Sequence, residues 1–241
     1  ARVVQAIEES VARAARYGAV QFSAEDATRA DPIFLRQCVT AAVHAGATRI
    51  NIPDTVGCAM PGEYAAVIRD IVRWVGPSIV VSAHCHNDLG MATANTLAAV
   101  AAGARQVEVT VNGIGERAGN AALEEVVTAM TLKGIARHGV DTAQLAGVSR
   151  MVAEASGVPV QPHKAVVGAN AFAHSSGIHQ DGVAKDPATY GFVPPEMVGA
   201  PGHVFRLTAR SGRTGLVRAA ADWGIAVAAD EIDRVYAAFL A

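Results

Sequence analysis

From the start of the chain to about residue 138, one pattern recurs: a short apolar run, a turn, then a stretch with apolar residues at helical spacing. Residues 19–23, 48–52, 78–82 and 106–111 read as strands. The intervening stretches read as helices: one opened by Asp31-Pro32 and closed at Ala45-Gly46, one opened at Pro61, then 91–102 and 120–137. Strands alternating with helices predict βαβ units on a parallel sheet, at one unit per roughly 30 residues. Past residue 140 the strand signal fades. The stretch 141–156 reads as a helix and 169–182 is rich in small and polar residues. A loop-like run at 187–201 carries Tyr190, and two further helices are expected at 212–223 and 230–240.

That spacing suits a closed barrel or a doubly wound sheet equally well. The barrel is favoured by where the unusual residues fall. Ser23-Ala-Glu25-Asp26, Asn51-Ile-Pro-Asp54-Thr55, His84-Cys-His86 and Asn112-Gly-Ile-Gly-Glu116 all follow the carboxyl ends of their strands. Parallel barrels keep their active sites on that face. The expected fold is therefore α/β, of the (β/α)8 type, with only about four of the eight units present in 1–140 and a mainly helical extension in 141–241. Four parallel strands leave two open edges. A missing N-terminal half, a second polypeptide or another copy of the chain is expected to cover them.

Composition narrows the partners. The 241 residues are 51% hydrophobic and 17% charged, with a net charge of -2, which gives no electrostatic reason to expect nucleic acid or an anionic membrane. Cys38, Cys58 and Cys85 are odd in number and far apart, against a disulfide framework. No apolar run reaches membrane-spanning length and no secretory leader opens the chain, so the cytoplasm is the simplest compartment. The opening Ala1-Arg-Val-Val-Gln lacks a methionine and reads as mid-helix, as expected of a fragment.

His84 and His86 lie two apart on a strand and so share a face. Same-face imidazoles can grip one Zn, Mn, Fe or Cu ion, or can be solvated histidines where a strand ends. Glu25 is either a carboxylate aimed at a substrate or a helix-entry charge, and for Asp26 the helix-entry role is favoured. Thr55 offers a rim hydroxyl inside what is otherwise a Pro-Asp-Gly turn. The segment running from Asn112 to Asn120 is a glycine-rich loop leading into a helix N-terminus, a place for an anion. His179, in Ser175-Ser-Gly-Ile-His-Gln-Asp-Gly182, matters only if the extension reaches the barrel mouth.

Together, Phe22-Ser-Ala-Glu-Asp-Ala-Thr-Arg29, Asn51-Ile-Pro-Asp-Thr-Val-Gly57, His84-Cys-His-Asn-Asp88, Asn112-Gly-Ile-Gly-Glu-Arg-Ala-Gly-Asn120 and the segment from Gly168 to Gly182 resemble the isopropylmalate synthase and homocitrate synthase family of metal-dependent barrel acyltransferases. The resemblance runs in order along nearly the whole chain. It implies a Claisen-type condensation of acetyl-CoA with 2-oxoisovalerate to give 2-isopropylmalate, in leucine biosynthesis, with homocitrate, citramalate or another alkylmalate as alternative products. It further implies a divalent metal (Mn, Mg or Zn) on His84, His86 and Asn120, and oxo-acid contacts from Glu25 and Thr55. Glu116, Gly113 and Gly115 would lie by the acetyl-CoA site, with His179 and Tyr190 assisting proton transfer or the ordering of acetyl-CoA. The family's first strand carries an Arg-Asp pair, its Asp a metal ligand, and this chain has no counterpart; Arg69-Asp70 falls inside a helix pattern. The family's first four strands and its long C-terminal domain are likewise absent. A different class of role, a non-catalytic half-barrel that binds a partner, is also compatible with such a chain.

Overall fold

The computed structural model describes residues 2–208 and 211–241. The chain divides into two compact units, Ala1–Val140 and Asp141–Ala241.

In the first unit, helix α1 (Arg2–Ala14) precedes four strand-helix pairs: β1 (Val20–Ser23) with α2 (Pro32–His44), β2 (Ala47–Asp54) with α3 (Pro61–Val75), β3 (Val80–Cys85) with α4 (Ala92–Ala101), and β4 (Gln106–Glu108) with α5 (Leu123–Lys133). The starts of two helices follow from local chemistry. Asp31 caps α2 by accepting from Phe34 N at 2.9 Å, with Pro32 in the first turn. Glu63 reaches back to Met60 N at 2.9 Å to open α3.

The strands pair in the order β1-β2-β3-β4, all parallel, and consecutive helices pack against one another. A sheet with no reversal of order and its helices side by side is an arc of a barrel, not a doubly wound sheet. Alternation along each strand separates two faces. Ile50, Ile52, Val81, Ala83 and Cys85 join Leu35, Val39, Ile68, Ile71, Val126 and Met130 of the helices in one buried core. Each fully buried Ile contributes about 1.5–3 kcal/mol. The opposite face is polar on every strand, carrying Gln21, Ser23, Asn51, Ser82, His84, Gln106 and Glu108, most of them joined by hydrogen bonds.

Expected and observed boundaries differ where polar residues end a strand. The third strand runs on through His84 and Cys85, because its alternation continues into the core at Cys85. The fourth stops at Glu108, and a 3-10 turn follows at Val111–Gly113 with Asn112 at φ 63°. Helix α5 begins at Leu123, not at Asn120, since 114–122 close the loop. Arg69-Asp70 lies within α3, as its periodicity predicts.

The second unit contains α6 (Leu145–Ser156), α7 (Gly177–Lys185), α8 (Arg213–Asp222) and α9 (Ile232–Leu240). It also holds a parallel pair the sequence analysis did not anticipate, β5 (Ala173–His174) with β6 (Val204–Phe205). Strands of two residues are too short for periodicity to reveal. Among the described residues no helix is long and apolar enough to cross a membrane, and Cys38, Cys58 and Cys85 are all free.

Tyr64 ties the core to the strand ends. Fully buried, it donates to Ile52 O at 2.5 Å and accepts from His84 N at 3.3 Å. Tyr64→Phe leaves both backbone groups without that partner and is expected to cost about 1–3 kcal/mol in denaturant unfolding.

Candidate active site at the strand ends

The segment His84 to Asp88 distributes its side chains among separate tasks. Cys85 points into the core, where burial pushes its thiol up to about 12, so it is a packing residue and not a thiolate ligand. His84 and His86 stand on the other side with ring centroids 5.0 Å apart at 86°. Asn87 Oδ1 accepts from Ala92 N at 3.1 Å, at the start of α4. Asp88 is claimed by Arg117, whose Nε and Nη2 reach its two oxygens at 2.7 and 2.9 Å. That bidentate pair holds the Asp88 carboxyl below its ordinary range.

Nδ1 is the buried nitrogen of each imidazole and forms no hydrogen bond in either ring. Glu108 Oε2 comes within 3.1 Å of His84 Nδ1, in ion-pair contact without a hydrogen bond. Burial pulls His84 below its ordinary pKa and His86 adds to the lowering, while the Glu108 and Glu25 carboxylates oppose it.

Asn120 joins the histidines through an isolated bridge between its backbone and that of His86. Its Nδ2 donates to Ile114 O at 3.0 Å, while its Oδ1 is buried with no partner. Two imidazoles and a buried amide oxygen, the latter unengaged, fit part of the coordination shell of a divalent metal. Among the described residues no group of three His, Cys, Asp or Glu could hold an ion.

The glycine-rich loop is folded tightly on itself. A Cβ on Gly115 would collide with Asn120 Nδ2, and one on Gly113 would stand 3.0 Å from Asn120 O. These two glycines therefore give Asn120 its place. Glu116 projects from the loop, with its side chain 84% exposed. Arg117, at φ 55°, turns back so that Nη2 also donates to Thr55 O at 2.8 Å.

Thr55 Oγ1 accepts from Asp26 N at 2.9 Å, which leaves its own O–H free to donate. Asp26 pairs with Arg29 and makes no side-chain cap. Glu25 is exposed. Beneath them lies Asp54, the fully buried last residue of β2, whose carboxylate accepts from Thr28 Oγ1, Cys58 N, Ala59 N and Asn95 Nδ2.

The structure thus gathers Glu25, Thr55, His84, His86, Gly113, Gly115, Glu116 and Asn120 on the loops and strand ends at one edge of the sheet. His179 and Tyr190 belong to the second unit and are neighbours there, their rings 4.2 Å apart. A Cβ on Gly182 would press on Tyr190 Cε2 at 2.7 Å, so this glycine lets the ring lie against α7. Sequence reasoning passed over Glu108, Asp54 and the Asp88–Arg117 pair. A charged residue alternating with apolar ones in 106–109 was the available signal for Glu108.

The profile of the HMGL-like family matches residues 1–152. The chain belongs to that family. The profile described as homocitrate synthase post-HMGL domain-like matches residues 166–241. Among relatives of this HMGL-like chain, the 2-isopropylmalate synthase of Histophilus somni (strain 129Pt) is 49% identical over 246 residues, covering 99% of this chain and 47% of that protein. The 2-isopropylmalate synthase of Haemophilus influenzae (strain ATCC 51907 / DSM 11121 / KW20 / Rd) is 50% identical over 228 residues, covering 92% and 44%. The chain spans about half the length of the curated relatives it matches. The solved hydroxymethylglutaryl-CoA lyase of Pseudomonas aeruginosa is similar at a TM-score of 0.55 and 20% identity over 65% of this chain and 56% of that one, a likeness of fold.

Removing the clasp tests how the rim is held. Arg117→Ala is expected to speed amide hydrogen exchange at Asp26, Asn87 and Asn120, with the global unfolding midpoint nearly unchanged.

Proposed function

We propose that this chain supplies the C-terminal half of the catalytic barrel of a Claisen-type synthase. It would join acetyl-CoA to 2-oxoisovalerate, giving 2-isopropylmalate and free CoA. The observation that carries this reading is the collection of two histidines, an unengaged amide oxygen, a threonine hydroxyl and exposed carboxylates at one strand-end edge, in a chain whose relatives bear that enzyme's name.

His84, His86 and Asn120 would hold a divalent metal (Mn, Mg or Zn), which when bound polarises the carbonyl of the oxo acid. Thr55 donates its free hydroxyl hydrogen to the substrate carboxylate, fixed in place by Asp26 N and the Arg117 clasp. Glu25 borders the oxo acid. Glu116, exposed and in ion-pair contact with Arg117 Nη1 at 3.5 Å, and the loop backbone at Gly113 and Gly115 would flank acetyl-CoA. His179 and Tyr190 serve the proton leaving the acetyl methyl group, and hydrolysis of the thioester then releases CoA.

In this reading a complementary polypeptide, or another copy of the chain, covers the two outer strands, and the remaining strands would bring an arginine and a carboxylate ligand. The alternative products are homocitrate, citramalate or another alkylmalate, chosen by how that second half shapes the pocket.

The test is acetyl-CoA-dependent release of CoA with 2-oxoisovalerate and Mn, Mg or Zn, for the chain alone and mixed with a polypeptide supplying strands one to four. Release only in the mixture is expected, lost by at least about 100-fold in His84→Ala. No release with any of several oxo acids would sink the synthase reading and favour a half-barrel that only binds a partner.

A further inference from the structure

Glu108 occupies a position that the preceding roles leave unused. It is the last residue of β4, on the polar face, and its carboxylate draws contacts from all the other strands of the sheet. Gln21 of β1 donates to Oε1 at 2.6 Å, and Ser82 of β3 approaches the same oxygen at 3.5 Å. Asn51 of β2 donates to Oε2 at 3.3 Å, and His84 Nδ1 lies 3.1 Å from that oxygen. Gln21 is itself fixed by Gln106 Nε2, which donates to its Oε1 at 2.7 Å.

The character of these partners separates three roles for such a carboxylate. As a direct metal ligand it would complete a trio with His84 and His86, and no such trio has the geometry among the described residues. As a structural ion pair it would face a Lys or Arg. Its partners instead are two amides and a hydroxyl, all neutral, and its ion pair among the described residues is with His84. The remaining role is to act on the imidazole. Ligating histidines commonly direct their second nitrogen at a carboxylate, which fixes the tautomer and raises the basicity of the first.

We infer that Glu108 is a positioning residue for His84: its carboxylate, held in place from every strand, takes the Nδ1–H and presents Nε2 to a divalent cation. The inference rests on the reading of His84 and His86 as metal ligands. In the present geometry the two groups are 3.1 Å apart without a hydrogen bond, and the inference requires that the Nδ1–H be directed at Oε2 in solution. No other charged group is within ion-pair distance of His84 among the described residues, although Glu25 and His86 act on it at longer range.

Two measurements test this. In metal-free protein with 15N-labelled histidine, at a pH where imidazole is neutral, His84 should be the Nδ1–H tautomer, and Glu108→Ala should shift it toward Nε2–H. Calorimetric titration with Zn2+ should show affinity lowered about 10- to 100-fold in Glu108→Gln, which keeps the shape and removes the charge, with stoichiometry unchanged. An Nε2–H tautomer in the wild type, or wild-type zinc affinity in Glu108→Gln, overturns the inference. An Nδ1–H tautomer sensitive to Glu108→Ala in a protein that binds no zinc upholds the contact and overturns the metal reading instead. If Glu108→Ala does not fold, the Glu108→Gln titration and the wild-type tautomer decide.

Discussion

A buried carboxylate at the end of β2 holds the edge of the sheet together. Asp54 has no exposed surface, and it satisfies itself through donors from the loop after β1, its own following loop and α4. Its backbone carbonyl accepts from Gly57 N and from His86 N, so the same residue shapes the turn bearing Thr55 and pins the end of β3. A buried charge left without these donors would be costly. The segments it engages are therefore fixed relative to one another before any ligand arrives, and Thr55 and His86 inherit that order.

Stability and chemistry are assigned to opposite faces of this sheet. The helix side buries branched apolar residues and carries the hydrophobic contribution. The other side is built from amides and hydroxyls bonded to one another and to the Glu108 carboxylate, with the His84 imidazole in contact beside them. Such a network is worth keeping only if its members are paired. At the strand ends Nδ1 of His84 and of His86 and Oδ1 of Asn120 are buried without a hydrogen bond, as is Asn51 Oδ1 on this same face. Above this layer the Arg117 guanidinium spans three loops, touching Asp88 and Thr55 from the loop after β4.

Much of this was legible in sequence because parallel strand ends announce themselves: an apolar run gives way to polar residues, and those residues belong to one edge. His84, His86, Thr55, Glu25 and Asn120 are picked out in that way or through the family's motifs, and all five lie at the strand ends or on the loops that follow them. Three features escaped for physical reasons. Asp54 looked like a turn former, since Pro, Asp and Gly favour turns, and burial is invisible in composition. Glu108 requires knowing which strand is its neighbour, and its partners lie as far off in sequence as Gln21. The glycines of the loop read as an anion cradle, and the sequence does not reveal that Gly113 and Gly115 also make room for Asn120. The same limit of range hid β5 and β6.

Every strand of the first unit pairs with its neighbour in sequence: Val20 with Ala47, Ile50 with Val81, Ser82 with Gln106. No pairing within the sheet requires the chain ends to meet. The loops to be closed are thus short and similar, so the entropic toll of each addition is nearly constant. Assembly can proceed strand by strand in the direction of synthesis, with each βα unit docking on the edge left by the one before. A sheet growing in that way carries its templating edge forward until β4.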